Sequence, residues 1–479
     1  MISTATTITF FAYLIFLLVI GTLAYKNTNT SSDYILGGRK MGPAVTALSV
    51  GASDMSGWLL LGLPGAVYLS GLSEAWIGIG LVLGAWVNWH LVAKRLRIYT
   101  EFTRDSLTLP DFLERRFADN GVLRLVAAST TLLFFTFYTS SGMVGGAILF
   151  EQVFGLDYTA ALLVGSAIIV SYTFVGGFFA VSWTDFFQGI LMLLALILVP
   201  AVVFFSDNHD VAMLEPGMLE ILPESLSLLA IISLMAWGLG YFGQPHILSR
   251  FMAIGDVKDL PVSRRIAMSW MLISLFGALA TGLAGALYFA GSPLPNAETV
   301  FIELSKVLFN PWIAGFLIAA ILSAIMSTID SQLLVCSSVV TEDFYKKWLR
   351  PDASEREKVM VGRLTVLAVA VLATMIALNP QSSVLSLVSY AWAGFGAAFG
   401  PVILLSLYWR DYSRYGAIAT IIVGAATVVL WKPLEGGLFD LYEILPGFLF
   451  ATIAGVIVSK WKPTTEPVRE QHAKFEQLL

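Results

Sequence analysis

Long apolar runs recur from one end of this chain to the other, separated by short polar stretches. They lie near 8–25, 44–70, 73–92, 122–150, 159–178, 186–206, 226–250, 266–290, 311–340, 363–379, 384–408, 414–431 and 442–459. Most are close to the roughly 20 residues that a helix needs to cross the hydrocarbon core, and the longer ones are expected to be tilted or broken. The pattern predicts an all-α integral membrane protein with thirteen transmembrane helices. The first run has no basic stretch before it and no small-residue cleavage site followed by a soluble domain, so it reads as a retained helix rather than a signal peptide.

The polar stretches set the orientation. With the amino terminus outside, all of the 28 Lys and Arg except Lys306 and Lys432 fall in cytoplasmic segments or at their helix ends, as the positive-inside bias requires. The clearest inner loop joins the third and fourth spans and holds Lys94, Arg95, Arg97, Arg104, Arg115 and Arg116. Asp207, Asp210, Glu215, Glu220 and Glu224 lie in a segment without Lys or Arg, as suits an outer loop. The polar tail 460–479 is placed inside.

Two of the runs are interrupted. The second contains Gly51, Gly57 and Gly62-Leu63-Pro64-Gly65, and the seventh contains Trp237-Gly238-Leu239-Gly240-Tyr241-Phe242-Gly243-Gln244-Pro245. Each opens a group of five spans, about 44–206 and 226–408. Five is odd, so the second group must run inverted relative to the first. Interrupted helices at corresponding positions of two inverted halves point to the binding site of a secondary transporter. The span 8–25 precedes this five-plus-five core and the spans in 414–459 follow it. No Pro/Ser-rich linker divides the chain, which reads as a single membrane transport domain over 1–479.

Composition narrows the class further. Hydrophobic residues make up 57%, charged residues 13%, and the mean hydropathy is +0.79, which excludes a soluble globular domain of this length. The single cysteine, Cys336, excludes a disulfide framework and a thiolate metal cluster. The four histidines, His90, His209, His246 and His472, are scattered, with no metalloprotease or serine-elbow motif. Neither an enzyme, nor an organic cofactor, nor a nucleic-acid partner is expected; membrane lipid is.

Oxygen-rich clusters inside the apolar runs carry the chemistry. Acidic side chains at bilayer depth are costly and mark ion or substrate paths. Ser53, Asp54 and Ser56 lie beside the first interruption, where a broken helix frees carbonyl oxygens for a dehydrated sodium ion. Ser323, Ser327, Thr328 and Ser331 form a second stripe, with Ser327 and Ser331 on one face of their helix. Asp330, Ser331 and Asp185 are expected to build a second cation or proton site, although Asp185 also suits a helix cap. For an organic substrate the candidates are Tyr138, Trp237, Tyr241 and Pro245, with Trp237 and Tyr241 sharing a face.

The strings Ser53-Asp54-Met55-Ser56-Gly57-Trp58, Trp237 to Pro245, Met326-Ser327-Thr328 and Ala391-Trp392-Ala393-Gly394-Phe395-Gly396 closely resemble the proline-carrying bacterial members of the sodium/solute symporter family, over essentially the whole chain. The resemblance implies a leucine-transporter-like inverted repeat, sodium as coupling ion, L-proline as substrate and a bacterial inner membrane. It also implies sodium held by the carbonyls of Ala52, Met55 and Ala324 and the hydroxyls of Ser327 and Thr328, with Asp54 essential to sodium use. Ser56, Tyr138, Trp237, Tyr241 and Pro245 match positions tied to proline binding or its coupling, and Arg39 matches a functionally sensitive position. Another amino acid, pantothenate or a sugar is the alternative substrate.

Overall fold

Helices begin where the sequence supplies a cap. Ser354, Ser383 and Ser413 accept hydrogen bonds from the backbone N–H of Glu357, Ser386 and Gly416, and open the helices Glu355–Ile376, Val384–Tyr408 and Arg414–Trp431. Asn310 does the same for Trp312 and Ile313, with Pro311 in the first turn of Pro311–Ser338. The computed structural model describes residues 3–25, 30–173, 177–206, 214–379 and 382–479. Among them every predicted apolar run meets a helix and no strand forms.

The count of thirteen spans is not reproduced. Among the described residues ten helices are long and apolar enough to cross a membrane, or eleven when the bent pair Leu228–Gly243 and Pro245–Ala253 is taken as one span. Residues Gly57–Leu91 form one helical stretch of 35 residues, where the sequence reading ends one span and starts the next. Only the 3₁₀ turn Gly71–Glu74, entered through Gly71 at φ 72°, marks that division. Helix Pro43–Met55 has 13 residues and Tyr158–Thr173 has 16, each short for a span on its own. Residues 174–176 of the predicted run 159–178 lie outside the described residues, as do Asp207 and Asp210 of the acidic segment.

Pro311–Ser338 is the axis of the bundle. It packs against Thr4–Tyr25, Val122–Phe154 and Phe178–Phe204, and 83% of the most apolar 18-residue window of Pro311–Leu349 is buried, against 28% for the corresponding window of Thr4–Leu23. Peripheral helices instead turn large apolar side chains outward, such as Phe276, Leu364 and Leu430. Apolar residues on both faces of a helix fit lipid outside and protein inside. The fold is that of an all-helical, multi-pass membrane protein.

One end of the bundle is tied by its own polar network. Met41 and Ile254 form an isolated parallel bridge, with Met41 N donating to Ala253 O at 3.2 Å and Gly255 N to Met41 O at 3.0 Å. At the same end the terminal helix Glu466–Glu476 docks on Ala93–Phe102. Phe475 is stacked on Tyr99 with ring centroids 3.8 Å apart, and Arg95 pairs with Glu476 at 2.6 Å.

His472 is the pH-sensitive part of this docking. It is 2% exposed, lies 3.3 Å from the Tyr99 hydroxyl and 3.2 Å from Arg116 Nη2, and faces Glu476 at 3.5 Å. Burial and the Arg116 guanidinium push its pKa down from 6.5 to about 4, with Arg95 and Arg410 acting in the same sense and Glu476 against it. Because the docked pKa is below the free one, docking is at full strength above pH 6.5 and weakens as pH falls toward 4. The hydrogen-exchange protection factors of residues 466–476, taken relative to the intrinsic rate at each pH, are expected to fall over that window, and His472→Gln to remove that fall; protection factors unchanged between pH 7 and 4.5 would refute this.

Candidate functional site

Both interruptions predicted from glycine and proline are present. Helix Pro43–Met55 ends at Ser56, whose φ of 37° and ψ of −169° are unusual for a residue with a side chain. Such a conformation costs about 1–3 kcal/mol and persists only where the surroundings impose it. The chain resumes through the 3₁₀ turn Gly57–Leu59 and helix Gly62–Ser70. In the other half, Leu228–Met235 runs into an eight-residue 3₁₀ stretch, Ala236–Gly243, and restarts at Pro245 with a 46° bend. Glycine is required at 240, where a Cβ would collide with the indole nitrogen of Trp392.

The first break faces the Ser/Thr stripe of Pro311–Ser338. Ser327 Oγ donates to Ala52 O at 2.8 Å and lies 3.1 Å from Ala324 O; Thr328 Oγ1 is 3.2 Å from Ala324 O and 3.5 Å from Ala52 O. Two hydroxyls and two carbonyls thus converge across the helix pair, and all four residues are 2% exposed or less. Met55 is the last residue of its helix, where carbonyls leave the ladder. Ser53 is not part of the cluster, since its hydroxyl bonds Val50 O at 3.3 Å. Nor is Ser323, which bonds Ala319 O and the Tyr13 hydroxyl at 2.6 Å.

Asp54 points elsewhere, toward the aromatic residues. Its Oδ2 accepts a hydrogen bond from the Tyr241 hydroxyl, and its backbone carbonyl accepts one from the Tyr138 hydroxyl at 3.2 Å. Ser56 lies at the same break, its Oγ accepting from Trp58 N at 3.3 Å. Trp237 continues the wall: its ring stacks on Tyr442 at 5.5 Å and lies 5.9 Å from Trp58, while its carbonyl accepts from Trp392 Nε1 at 2.7 Å. Tyr241 meets Trp392 edge to face at 5.2 Å. The cavity between Asp54, Asn88 and Tyr241 measures about 20 Å³, room for about one water. The site is closed in this state, with Asp54, Ser56, Tyr138, Trp237 and Tyr241 all 5% exposed or less. Pro245 stands apart, lining a different small cavity with Leu109, Phe178 and Ser249.

The expected second cation cluster is divided. Adjacent residues on a helix point about 100° apart, and here Asp330 turns to Thr173, whose hydroxyl it accepts, while Ser331 turns to Arg250. Asp185 accepts from Ser49 at 2.6 Å and pairs with Arg250 at 3.3 Å. A guanidinium therefore stands between Asp185 and Ser331. Arg39 lies remote from both clusters, at the tied end of the bundle. It donates to Asp105 at 2.6 Å, Thr100 at 3.1 Å, Met252 O at 2.6 Å and Ser106 O at 2.9 Å.

Sequence reasoning missed Arg250, Ser49 and Tyr442, and it quoted Trp392 within a resembling string without giving it a place at the site. Arg250 had a signal, an arginine one turn beyond a helix break, but it merges with the inner basic residues. Tyr442 had none, because it precedes a span outside the five-plus-five core.

A model of the sodium:solute symporter family matches residues 34–424. The sodium/proline symporter of Salmonella typhimurium is 54% identical, covering 99% of this chain and 97% of that one. The high-affinity proline transporter PutP of Bacillus subtilis is 55% identical over 92% of this chain and 95% of its own. Among solved structures, a Na+-coupled sialic acid symporter in a substrate-bound outward-open state superposes with a TM-score of 0.81 at 18% identity, covering 97% and 99% of the two chains. At that identity the likeness concerns the fold.

Proposed function

Because this chain belongs to the sodium:solute symporter family, we propose that it imports L-proline with sodium as the coupling ion, by alternating access. The near-full-length identity to relatives named for sodium/proline symport carries this reading. In it, sodium takes the place between the Ala52, Met55 and Ala324 carbonyls and the Ser327 and Thr328 hydroxyls. Those hydroxyls donate to the Ala52 and Ala324 carbonyls, which leaves their oxygen lone pairs for the ion. Proline is received beside the break by Ser56, Tyr138, Trp237 and Tyr241, with Pro245 setting the restart of the second broken helix.

Coupling follows from chain continuity. Ala52 lies two residues before Asp54, so an ion that fixes the Ala52 carbonyl also fixes the residue that bonds Tyr138 and Tyr241. The transport domain is 1–479, with its core at 44–206 and 226–408. The protein sits in the bacterial inner membrane with its amino terminus outside and its tail in the cytoplasm. The network of Arg39 then closes the cytoplasmic end, and its bonds break when the site opens inward.

The driving force suffices. One charge crossing about 100 mV is worth about 2.3 kcal/mol and a tenfold sodium gradient about 1.4 more, enough for roughly 500-fold accumulation of a zwitterion. The test is uptake of labelled proline into proteoliposomes under an inward sodium gradient, with potassium as the control. Sodium-dependent, saturable accumulation supports the assignment. Uptake of another solute in its place, uncompeted by proline, would reject it.

A further inference from the structure

The helix Ala75–Leu91 turns a polar side chain toward the Asp54–Tyr241 contact. Ala85, Asn88 and Trp89 lie at i, i+3 and i+4 and therefore share one face. All three line the cavity of about 20 Å³ that Asp54 and Tyr241 also line. The remaining side chains of its wall are apolar, among them Met55, Ile247, Phe251, Met268 and Met271. Asn88 is 1% exposed, and among the described residues neither its Oδ1 nor its Nδ2 has a hydrogen-bond partner. An amide buried among apolar groups is costly when unmatched, and native proteins meet such groups with an ordered water or an ion.

A cavity of this size holds one water molecule, provided that its wall offers two or more polar partners. The Asn88 amide and the Asp54 carboxylate are such partners. A bare cation would find only the side-chain oxygens of Asp54, Asn88 and Tyr241 among thioethers, rings and aliphatic chains, too few to replace its hydration shell. We propose that Asn88 is a positioning residue for Asp54, acting through one water held between them. The inference rests on the symport reading above. The water accepts from Asn88 Nδ2 and donates to the carboxylate, whose Oδ2 is already bonded by the Tyr241 hydroxyl. The carboxylate is then fixed from two sides, by the second broken helix directly and by Ala75–Leu91 through the water. A bond bridged by water is nearly as favourable as a direct one, and apolar surroundings strengthen it. Asp54 held in one orientation directs its charge toward the proposed sodium position, two residues before it at Ala52, without reorganising when the ion arrives. Asn88 thus raises sodium affinity while touching neither the ion nor proline.

The experiment measures the sodium and proline dependence of labelled-proline uptake by the full-length protein in proteoliposomes. Asn88→Leu keeps the branched shape of the side chain and removes both hydrogen-bonding atoms. It is expected to raise the sodium concentration for half-maximal uptake about tenfold, the scale of one hydrogen bond to a charged group, while proline affinity at saturating sodium stays within about twofold of wild type. Asn88→Ser, whose hydroxyl still meets the water, is expected to return the sodium dependence to within about threefold of wild type. In an Asp54→Asn background, Asn88→Leu is expected to add less than about twofold, because the charge that it positions has gone. An equal effect with and without the Asp54 carboxylate overturns the proposal and assigns Asn88 to helix packing. So does a wild-type sodium dependence in Asn88→Leu. A second measurement stands on the wild type: infrared difference spectra induced by sodium, in ordinary water and in water carrying the heavy oxygen isotope. An internal-water O–H band that shifts with the isotope is expected in wild type and is expected to be lost in Asn88→Leu. No isotope-sensitive band in wild type overturns the proposal even if the variants fail to fold. Absence of any sodium-driven proline uptake by wild type would instead refute the symport reading itself.

Discussion

Asp54→Ala is expected to lower sodium-driven proline accumulation by at least about 100-fold while leaving the protein in the membrane. The substitution removes two things at once. The Tyr241 hydroxyl loses its acceptor in a buried site, a loss of about 1–3 kcal/mol for a stranded polar group. The break also loses its negative charge two residues from the Ala52 carbonyl, where Coulomb attraction to a cation is only partly screened. Together these exceed about 2.7 kcal/mol, which is the 100-fold. Asp54→Asn separates them, since an amide oxygen still accepts from Tyr241. Its uptake is expected to be poor at low sodium and to recover in part at high sodium, whereas Asp54→Ala does not recover. Tyr241→Phe makes the opposite cut and leaves a buried carboxylate without its hydroxyl, a change expected to cost more than the hydrogen bond alone. Wild-type accumulation by Asp54→Ala at ordinary sodium would remove Asp54 from the mechanism.

The broken helices were legible because glycine and proline announce themselves. Ser56 and the stretch Ala236–Gly243 break where the glycines are, and the hydroxyls of Ser327 and Thr328 lie against Ala52 O. Where the helices divide was less legible: one apolar length permits either a span boundary or a bend, as at Gly71. Asp330 and Ser331 show a different limit. Adjacent letters look like one cluster, yet the helix turns them to Thr173 and Arg250, on different sides. Arg250 was hidden by its own chemistry, because the charge bias that orients the chain counts every arginine near an inner helix end alike. Only packing separates an arginine at the interface from one neutralised inside. Pro245 illustrates the reverse case, a residue that sets backbone direction at the break while its ring lines a separate cavity.

Replacing both Ser327 and Thr328 with alanine is expected to raise the sodium concentration for half-maximal uptake by about 100-fold or more. Each hydroxyl that contacts a charge contributes about 1.5–3 kcal/mol, and the pair therefore about 3–6, or roughly 100-fold to 10,000-fold in affinity. The two single variants are expected to differ, because Ser327 lies 2.8 Å from Ala52 O and Thr328 3.5 Å. Ser327 thus holds the position nearer the broken helix, and its loss should weigh more. The residual affinity comes from the carbonyls, which no side-chain substitution removes. In the proposed site proline is received by Ser56, Tyr138, Trp237 and Tyr241 on the other side of the break, and on that reading proline affinity at saturating sodium is expected to change by less than about threefold, a shift under 1 kcal/mol. This split between ion and substrate is the informative part. A double variant whose sodium dependence stays normal while proline affinity falls would place the hydroxyls in the substrate site and move the ion elsewhere. Normal values for both would leave the Ser327–Ala52 contact as simple helix packing.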